Sequence, residues 1–298
     1  MERRTAGEFD QELLNLFDQY VHGDIDRRGF LERAAKFAVG GMTAVMLLDT
    51  LSPRFAEAQQ VAKDDKRLRT EWIDYESPQG TGKVRAYLVR PEAATGKLPG
   101  VLVVHENRGL NPHIEDITRR LALDNFVALA PDALTPLGGY PGDEDKARDA
   151  FAKLDQAKTR EDFVAGAGAL KARPECTGTI GVVGFCYGGT IANMLATRLP
   201  DLAAAVPFYG TQPAAADVAR IKAPLLIHYA DNDDRVNSGW PAYEAALQAS
   251  GVQFTMYRYP GTQHGFNNDT TPRYDRAAAA LAWQRTVEFL NKNLRATS

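Results

Sequence analysis

Cysteine is scarce in this 298-residue chain, with Cys176 and Cys186 the only two. That excludes the multi-disulfide framework of small secreted domains and leaves a thiol free for chemistry. Blocks of one charge are missing as well. Thirty-five Lys and Arg stand against 38 Asp and Glu, net −3, which gives no electrostatic footprint for nucleic acid. The histidines His22, His105, His113, His228 and His264 form no H-x-x-x-H pair and the cysteines no C-x-x-C, so spacing supports no metal site. The apolar run from Ala34 to Leu48 includes Lys36 and is too short for a stable membrane span. A hydrophobic content of 44% with 24% charge rules against a disordered or collagenous chain.

What is present begins with an unusual amino-terminal segment. Asp26-Arg27-Arg28-Gly29-Phe30-Leu31-Glu32, the apolar run behind it and Ala56-Glu57-Ala58 have the three-part layout of a twin-arginine export signal. That layout predicts residues 1–58 as a signal and a periplasmic or otherwise exported product. A long leader before Arg27, and Asp49 at the end of the run, point the other way. Phe9, Leu13, Leu16, Phe17 and Tyr20 recur at helical spacing, which predicts an amphipathic helix over residues 7–21. The alternative is therefore a retained helical arm on a cytoplasmic protein, packed on the domain or across a homodimer. Export is the stronger of the two on sequence.

Residues 59–298 read as one domain of alternating strands and helices. Residues 69–76 and 83–90 alternate in the β manner around Pro78-Gln79-Gly80-Thr81-Gly82, a hairpin signal. Val101-Leu102-Val103-Val104-His105 is the unbroken run of a strand buried on both faces. Further strands are predicted at 127–130, 180–183, 204–209, 225–229 and 253–259. Helices are predicted at 114–124, across 143–172, and at 188–198, 241–249 and 273–294. The expected fold class is α/β: a mostly parallel, doubly wound sheet entered through an antiparallel edge.

The strongest chemical signal is Gly184-Phe185-Cys186-Tyr187-Gly188-Gly189, directly after one strand and directly before a helix. It fits the G-x-nucleophile-x-G elbow with cysteine as nucleophile. A tight strand-to-helix turn leaves no room for Cβ atoms beside the nucleophile. It also sets the thiol at a helix N-terminus, where the dipole favours a thiolate and the Tyr187 N–H can face a carbonyl oxygen. A buried structural cysteine is the bland alternative.

A nucleophilic thiol needs a base, and the base an orienting acid, in the chain order nucleophile, acid, histidine. Of the histidines beyond Cys186, His228 sits inside the apolar strand 225–229 and reads as structural. His264, in Pro260-Gly261-Thr262-Gln263-His264-Gly265-Phe266, follows a strand on a loop expected to be mobile and solvent-reachable. Asp231, Asp233 and Asp234 crowd the loop after residue 229, and spacing alone leaves the acid open among them.

At these residues the chain resembles the dienelactone hydrolases, single-domain α/β-hydrolases with a Cys-His-Asp triad. The resemblance covers roughly residues 70–294. It rests on Val104-His105-Glu106-Asn107-Arg108-Gly109-Leu110, Gly184 to Gly189, Asp233-Asp234-Arg235-Val236 and Gln263-His264-Gly265-Phe266. It implies Asp233 as the acid, and Glu106 as a carboxylate that holds or deprotonates the resting thiol and guards it from oxidation. The bland reading of Glu106 is a helix cap. The resemblance further implies an oxyanion hole from the N–H groups of Asn107 and Tyr187. The family's substrate carboxylate is gripped by two arginines, but this chain has Asn268 four residues past His264. Arg108 and Arg148 are the remaining candidates near the site.

The expected reaction is hydrolysis of an ester or lactone through a thioester acyl-enzyme on Cys186, with no metal or organic cofactor. Thioesters and short esters are the alternative substrates. The rival from another class is a non-catalytic binding protein that uses its amino-terminal helix for assembly.

Overall fold

The computed structural model of the protein describes residues 4–295, and for Ala56 and Glu57 the backbone alone. Three helices come first: α1 (Gln11–His22), α2 (Arg27–Ala34) and α3 (Ala44–Leu51). An eight-stranded sheet follows, built from β1 (Leu68–Ser77), β2 (Gly82–Pro91), β3 (Leu98–Val104), β4 (Val127–Pro131), β5 (Cys176–Phe185), β6 (Ala204–Phe208), β7 (Leu225–Asn232) and β8 (Phe254–Gln263). Its order is β1-β2-β4-β3-β5-β6-β7-β8. The hairpin β1–β2 and the β2–β4 pair are antiparallel and every other pair is parallel, as the unbroken apolar strands require.

Between the strands run α4 (Pro112–Leu123), α5 (Glu144–Phe151), α6 (Gln156–Lys171), α7 (Tyr187–Arg198) and α8 (Trp240–Ala249), and α9 (Arg276–Leu294) closes the chain. Side chains of β3 alternate between two cores. Leu102 and Val104 pack with Phe163, Leu170, Ile191 and Leu247 of α6, α7 and α8. Val101 and Val103 pack with Ile114, Ile117, Leu290 and Leu294 of α4 and α9. Both faces are covered, so the ligand-accessible ground is the crevice at the carboxyl ends of the parallel strands.

The amino-terminal helices have a core of their own. Leu13, Leu16, Phe17 and Tyr20 of α1 pack against Phe30, Leu47, Leu48 and Leu51. The predicted helix over 7–21 is present as α1, capped by Asp10 and ended by Gly23 at φ 85°. The apolar run from Ala34 to Leu48 is not one continuous helix. A 3₁₀ turn at Ala35–Phe37 and positive φ at Gly40 and Gly41 break it. Arg27 opens α2 and pairs with Asp145 at 2.7 Å, while Ala56 and Ala58 lie in a short helical turn at Phe55–Ala58. No helix among the described residues is long and apolar enough to cross a membrane.

The connector is stitched down. The amide of Arg54 donates to the Thr270 carbonyl at 2.8 Å, that of Val61 to Asp116 at 2.8 Å, and Gln60 to Asp269 at 2.7 Å. Consequently α1 lies over the crevice with its polar side inward. Gln11 and Gln263 exchange side-chain hydrogen bonds at 2.9 and 2.7 Å, and Arg273 donates to Asp18 at 3.0 Å.

Candidate active site

Cys186 stands between β5 and α7 at φ 55° and ψ −112°, a left-handed backbone that a cysteine adopts only where its surroundings enforce it. The enforcement is visible. A Cβ on Gly184 would lie 1.9 Å from the Gly188 carbonyl oxygen, one on Gly188 2.1 Å from that of Val104, and one on Gly189 2.4 Å from that of Phe208. The Cys186 amide donates to Phe208 at 3.0 Å, pinning the turn to β6. Glycine is therefore dictated at these positions by backbone clearance.

The loops after β7 and β8 bring the next two groups. His264 Nδ1 donates to Asp233 Oδ2 at 2.6 Å, both side chains almost wholly buried. Asp231 instead accepts from the Gly261 amide at 3.1 Å, and Asp234 begins a short helical turn, so the acid paired with the histidine is Asp233. His264 Nε2 has no hydrogen-bond partner. The sulfur of Cys186 and a ring nitrogen each of His264 and His22 all lie within 4.8 Å of one another.

His22 was not anticipated at this site. From the last turn of α1, its Nε2 approaches Cys186 Sγ at 3.3 Å, while its Nδ1 donates to the Asp18 carbonyl at 2.8 Å. The Arg235 guanidinium lies 2.9 Å from the same Nε2. Nor is His264 solvent-reachable as expected: the residue is 4% exposed, with the His22 ring of α1 packed 4.8 Å from its own. A sequence signal for His22 does exist. Gln11, Asn15, Asp18 and His22 form a polar stripe at three- and four-residue spacing, opposite the apolar one.

Electrostatics follow from this crowding. Burial alone pushes the Cys186 thiol up, but the charges of His22 and His264 outweigh it and bring it down to about 5. Burial likewise opposes charge on His264, and Asp233 and Cys186 overcome it, raising the imidazole to about 10. His22 is raised to about 8 against its burial, chiefly by Cys186 and Asp18.

The other predicted residues fall as follows. Glu106 accepts from Asn268 at 2.8 Å and makes no hydrogen bond to Cys186, so the sulfur's partner here is His22 rather than this carboxylate. Nor does Glu106 cap α4, a task Asn111 performs. The Asn107 side chain donates to the Val21 carbonyl of α1 at 2.8 Å. The backbone amides of Asn107 and Tyr187 donate to no protein acceptor among the described residues. Arg108 is buried beneath the loop, bonded to the Asn107 carbonyl at 3.0 Å and 3.7 Å from Glu144. It is thus a support of the loop. Asn268, held to Glu106 and Thr270, is likewise a support. Arg148 does reach the crevice, stacking its guanidinium 4.6 Å over Tyr20. A cavity of about 350 Å³ joins His22, Asn107, Arg148, Arg160, Cys186 and Arg235.

Away from the crevice, Cys176 is buried at the start of β5 with Gly178 on its sulfur, and His228 is bonded to Tyr259 and Thr286 inside the core. Both are structural. The donors of His22, Cys186 and His264 are the one group among the described residues close enough to meet a metal ion. The Arg235 guanidinium lies 2.9 Å from one of those donors, His22 Nε2.

Residues 84–294 match the dienelactone hydrolase family, and residues 1–36 match a separate family described as YqhI-like. The chain belongs to the dienelactone hydrolase family. Its members are hydrolases of ester and lactone bonds, and this chain is one of them. A protein assigned as a carboxymethylenebutenolidase in Saccharolobus solfataricus is 31% identical over 70% of this chain and 94% of its own. YghX from Escherichia coli K12, assigned as a hydrolase fragment, is 53% identical over 38% of this chain and 97% of its own. Among solved structures, one from Klebsiella pneumoniae assigned as a dienelactone hydrolase superposes with a TM-score of 0.67 at 28% identity, covering 75% of this chain and 99% of its own. The dienelactone hydrolase-like promiscuous phosphotriesterase P91, from metagenomic libraries, gives 0.65 at 26% identity, covering 77% and 100%.

Proposed function

We propose that this dienelactone hydrolase acts through a Cys186-His264-Asp233 triad and a covalent thioester. The observation that carries this is a thiol strained into the elbow beside an imidazole that Asp233 orients at 2.6 Å. The Cys186 thiolate attacks the carbonyl carbon. As the S–C bond forms, the carbonyl electrons move to the oxygen, which faces the free amides of Asn107 and Tyr187. Collapse breaks the C–O bond, and the His264 imidazolium gives its Nε2 proton to the departing alkoxide. Water then attacks the thioester, His264 takes its proton, and the thiolate leaves. Glu106, tied to Asn268, steadies the Asn107 loop.

The cavity favours acidic esters and lactones. Arg148, Arg160 and Arg235 line it together with the sulfur, supplying cations from α5, α6 and the loop after β7 where position 268 supplies an amide. Thioesters and short neutral esters are the second choice.

Residues 1–58 we read as a retained arm, since cleavage after Ala58 would remove His22 from the crevice, and with it goes the cytoplasmic alternative. Intact mass and cell fraction of the native protein check this. The function itself is tested by a panel of lactones and esters against wild type and Cys186→Ala. Turnover in wild type that vanishes in the variant supports the reading, and equal turnover in both sinks it.

A further inference from the structure

Three polar residues of α1 reach into the crevice, and one touches the sulfur. We infer that His22 is a further catalytic-site residue, an imidazole that the amino-terminal helix delivers to hold the reacting sulfur of Cys186 before substrate arrives. The site is then complete only with α1 docked. This rests on Cys186 being the nucleophile.

A helix that merely covered the crevice would turn its apolar stripe toward it. Here α1 does the reverse. Leu13, Leu16, Phe17 and Tyr20 face the arm's own core, while Gln11 binds Gln263, Asp18 binds Arg273, and His22 binds Cys186. The ring is oriented as a functional imidazole is: Nδ1 donates to the Asp18 carbonyl at 2.8 Å, with the Asp18 carboxylate 3.3 Å away, which leaves Nε2 for the sulfur. The same helix end accepts from the Asn107 side chain at 2.8 Å, so one segment fixes both the sulfur and the oxyanion loop.

Two proton arrangements compete at Nε2. A neutral ring would accept from Arg235 at 2.9 Å, whereas a charged ring donates to the thiolate at 3.3 Å. The surroundings decide for the second. Asp18 and the sulfur supply negative charge, and Arg235 is 37% exposed and can turn to solvent. The other charged or titratable groups around the pair include His264, Asp233, Arg273, Tyr187, Tyr209 and Glu106, with Arg148 and Arg160 across the cavity and Arg108 buried beneath the Asn107 loop. Substrate attack removes the thiolate charge, so the pair with His22 dissolves as the S–C bond forms, while His264 keeps Asp233 and serves the leaving group.

The test uses the full chain. Iodoacetamide alkylation of Cys186, followed site by site with mass spectrometry from acid to alkaline pH, gives the midpoint of the thiol in wild type, His22→Gln and Asp18→Asn. Gln keeps a donor for the sulfur but carries no charge. The expected result is a rise in midpoint of at least about one pH unit in His22→Gln and a smaller rise in Asp18→Asn, with circular dichroism unchanged. A midpoint unmoved in both variants overturns the proposal. So does stoichiometric zinc in the purified protein that shields Cys186 from alkylation until a chelator removes it. Ester turnover surviving in Cys186→Ala would sink the reaction proposed above without touching this titration, so the two failures are distinguishable.

Discussion

Asn268 donates its side-chain amide to Glu106 Oε2 at 2.8 Å, tying the loop after β8 to the loop after β3 across 162 residues of sequence. The carboxylate is thereby held by an amide and not by the thiol. Replacing Glu106 by Gln should leave the alkylation midpoint of Cys186 within about 0.3 pH units of wild type, while lowering kcat/KM by less than about tenfold through the Asn107 loop. A large shift of the midpoint in this variant would return the guarding role to Glu106.

The acid of the triad is separable from its neighbours. Asp233→Asn keeps the shape but lets His264 take the wrong tautomer, so kcat should fall on the order of 10³-fold. Asp231→Asn and Asp234→Asn should change it by less than about threefold, since neither touches the imidazole. Steady-state kinetics with an activated aryl ester provides the comparison.

Stability should carry the signature of the thiolate. The Cys186 thiol is lowered from 9.0 to about 5 in the folded protein, so its contribution is present above pH 9 and is lost as pH falls through 5. His264 is raised from 6.5 to about 10, so its contribution is full below 6.5 and is lost as pH rises through 10. His22 is likewise raised from 6.5 to about 8, so its contribution is lost as pH rises through 8, and the Tm difference between wild type and Cys186→Ala should widen as pH rises from 5 and narrow again toward 10. A difference flat across that range would mean that no ion pair forms.

The elbow should tolerate no Cβ at its glycines. Gly188→Ala would set a methyl 2.1 Å from the Val104 carbonyl oxygen, backbone that cannot move aside. A loss of more than about 3 kcal/mol, or failure to accumulate folded protein, is expected. Gly178→Ala, where nothing lies within 4 Å but φ is 89°, should cost only about 1 kcal/mol in denaturant titrations.

These outcomes mark what the sequence made legible. The elbow was readable because the glycines that backbone clearance requires all fall within six consecutive residues. His264 was readable because fold topology fixes its place in the chain order, while Asp233 was singled out from Asp231 and Asp234 only by the family resemblance. The parallel strands announced themselves as short, unbroken apolar runs. The arm was not readable in the same way. Arg27-Arg28 and the following apolar residues have the layout of a signal, whereas what they build in the fold depends on packing against Asp145 and on Leu13, Phe17 and Phe30 of the same arm. His22 reaches Cys186 across 164 residues, and no local pattern encodes such a distance. Only the inward polar stripe of α1 hinted at it. Of the cavity arginines, Arg148 was a candidate from the sequence, whereas Arg160, which lines the same cavity as the sulfur, belongs to no motif and is placed there by the packing of α6.

The central claim is that Cys186 carries the acyl group. Rapid acid quench during turnover of a slow activated ester, followed by peptide mass spectrometry, locates the adduct directly. A thioester on Cys186 that accumulates further in His264→Ala is the predicted result. An adduct on Cys176 or a serine, or full turnover by Cys186→Ala with no adduct at all, would contradict it.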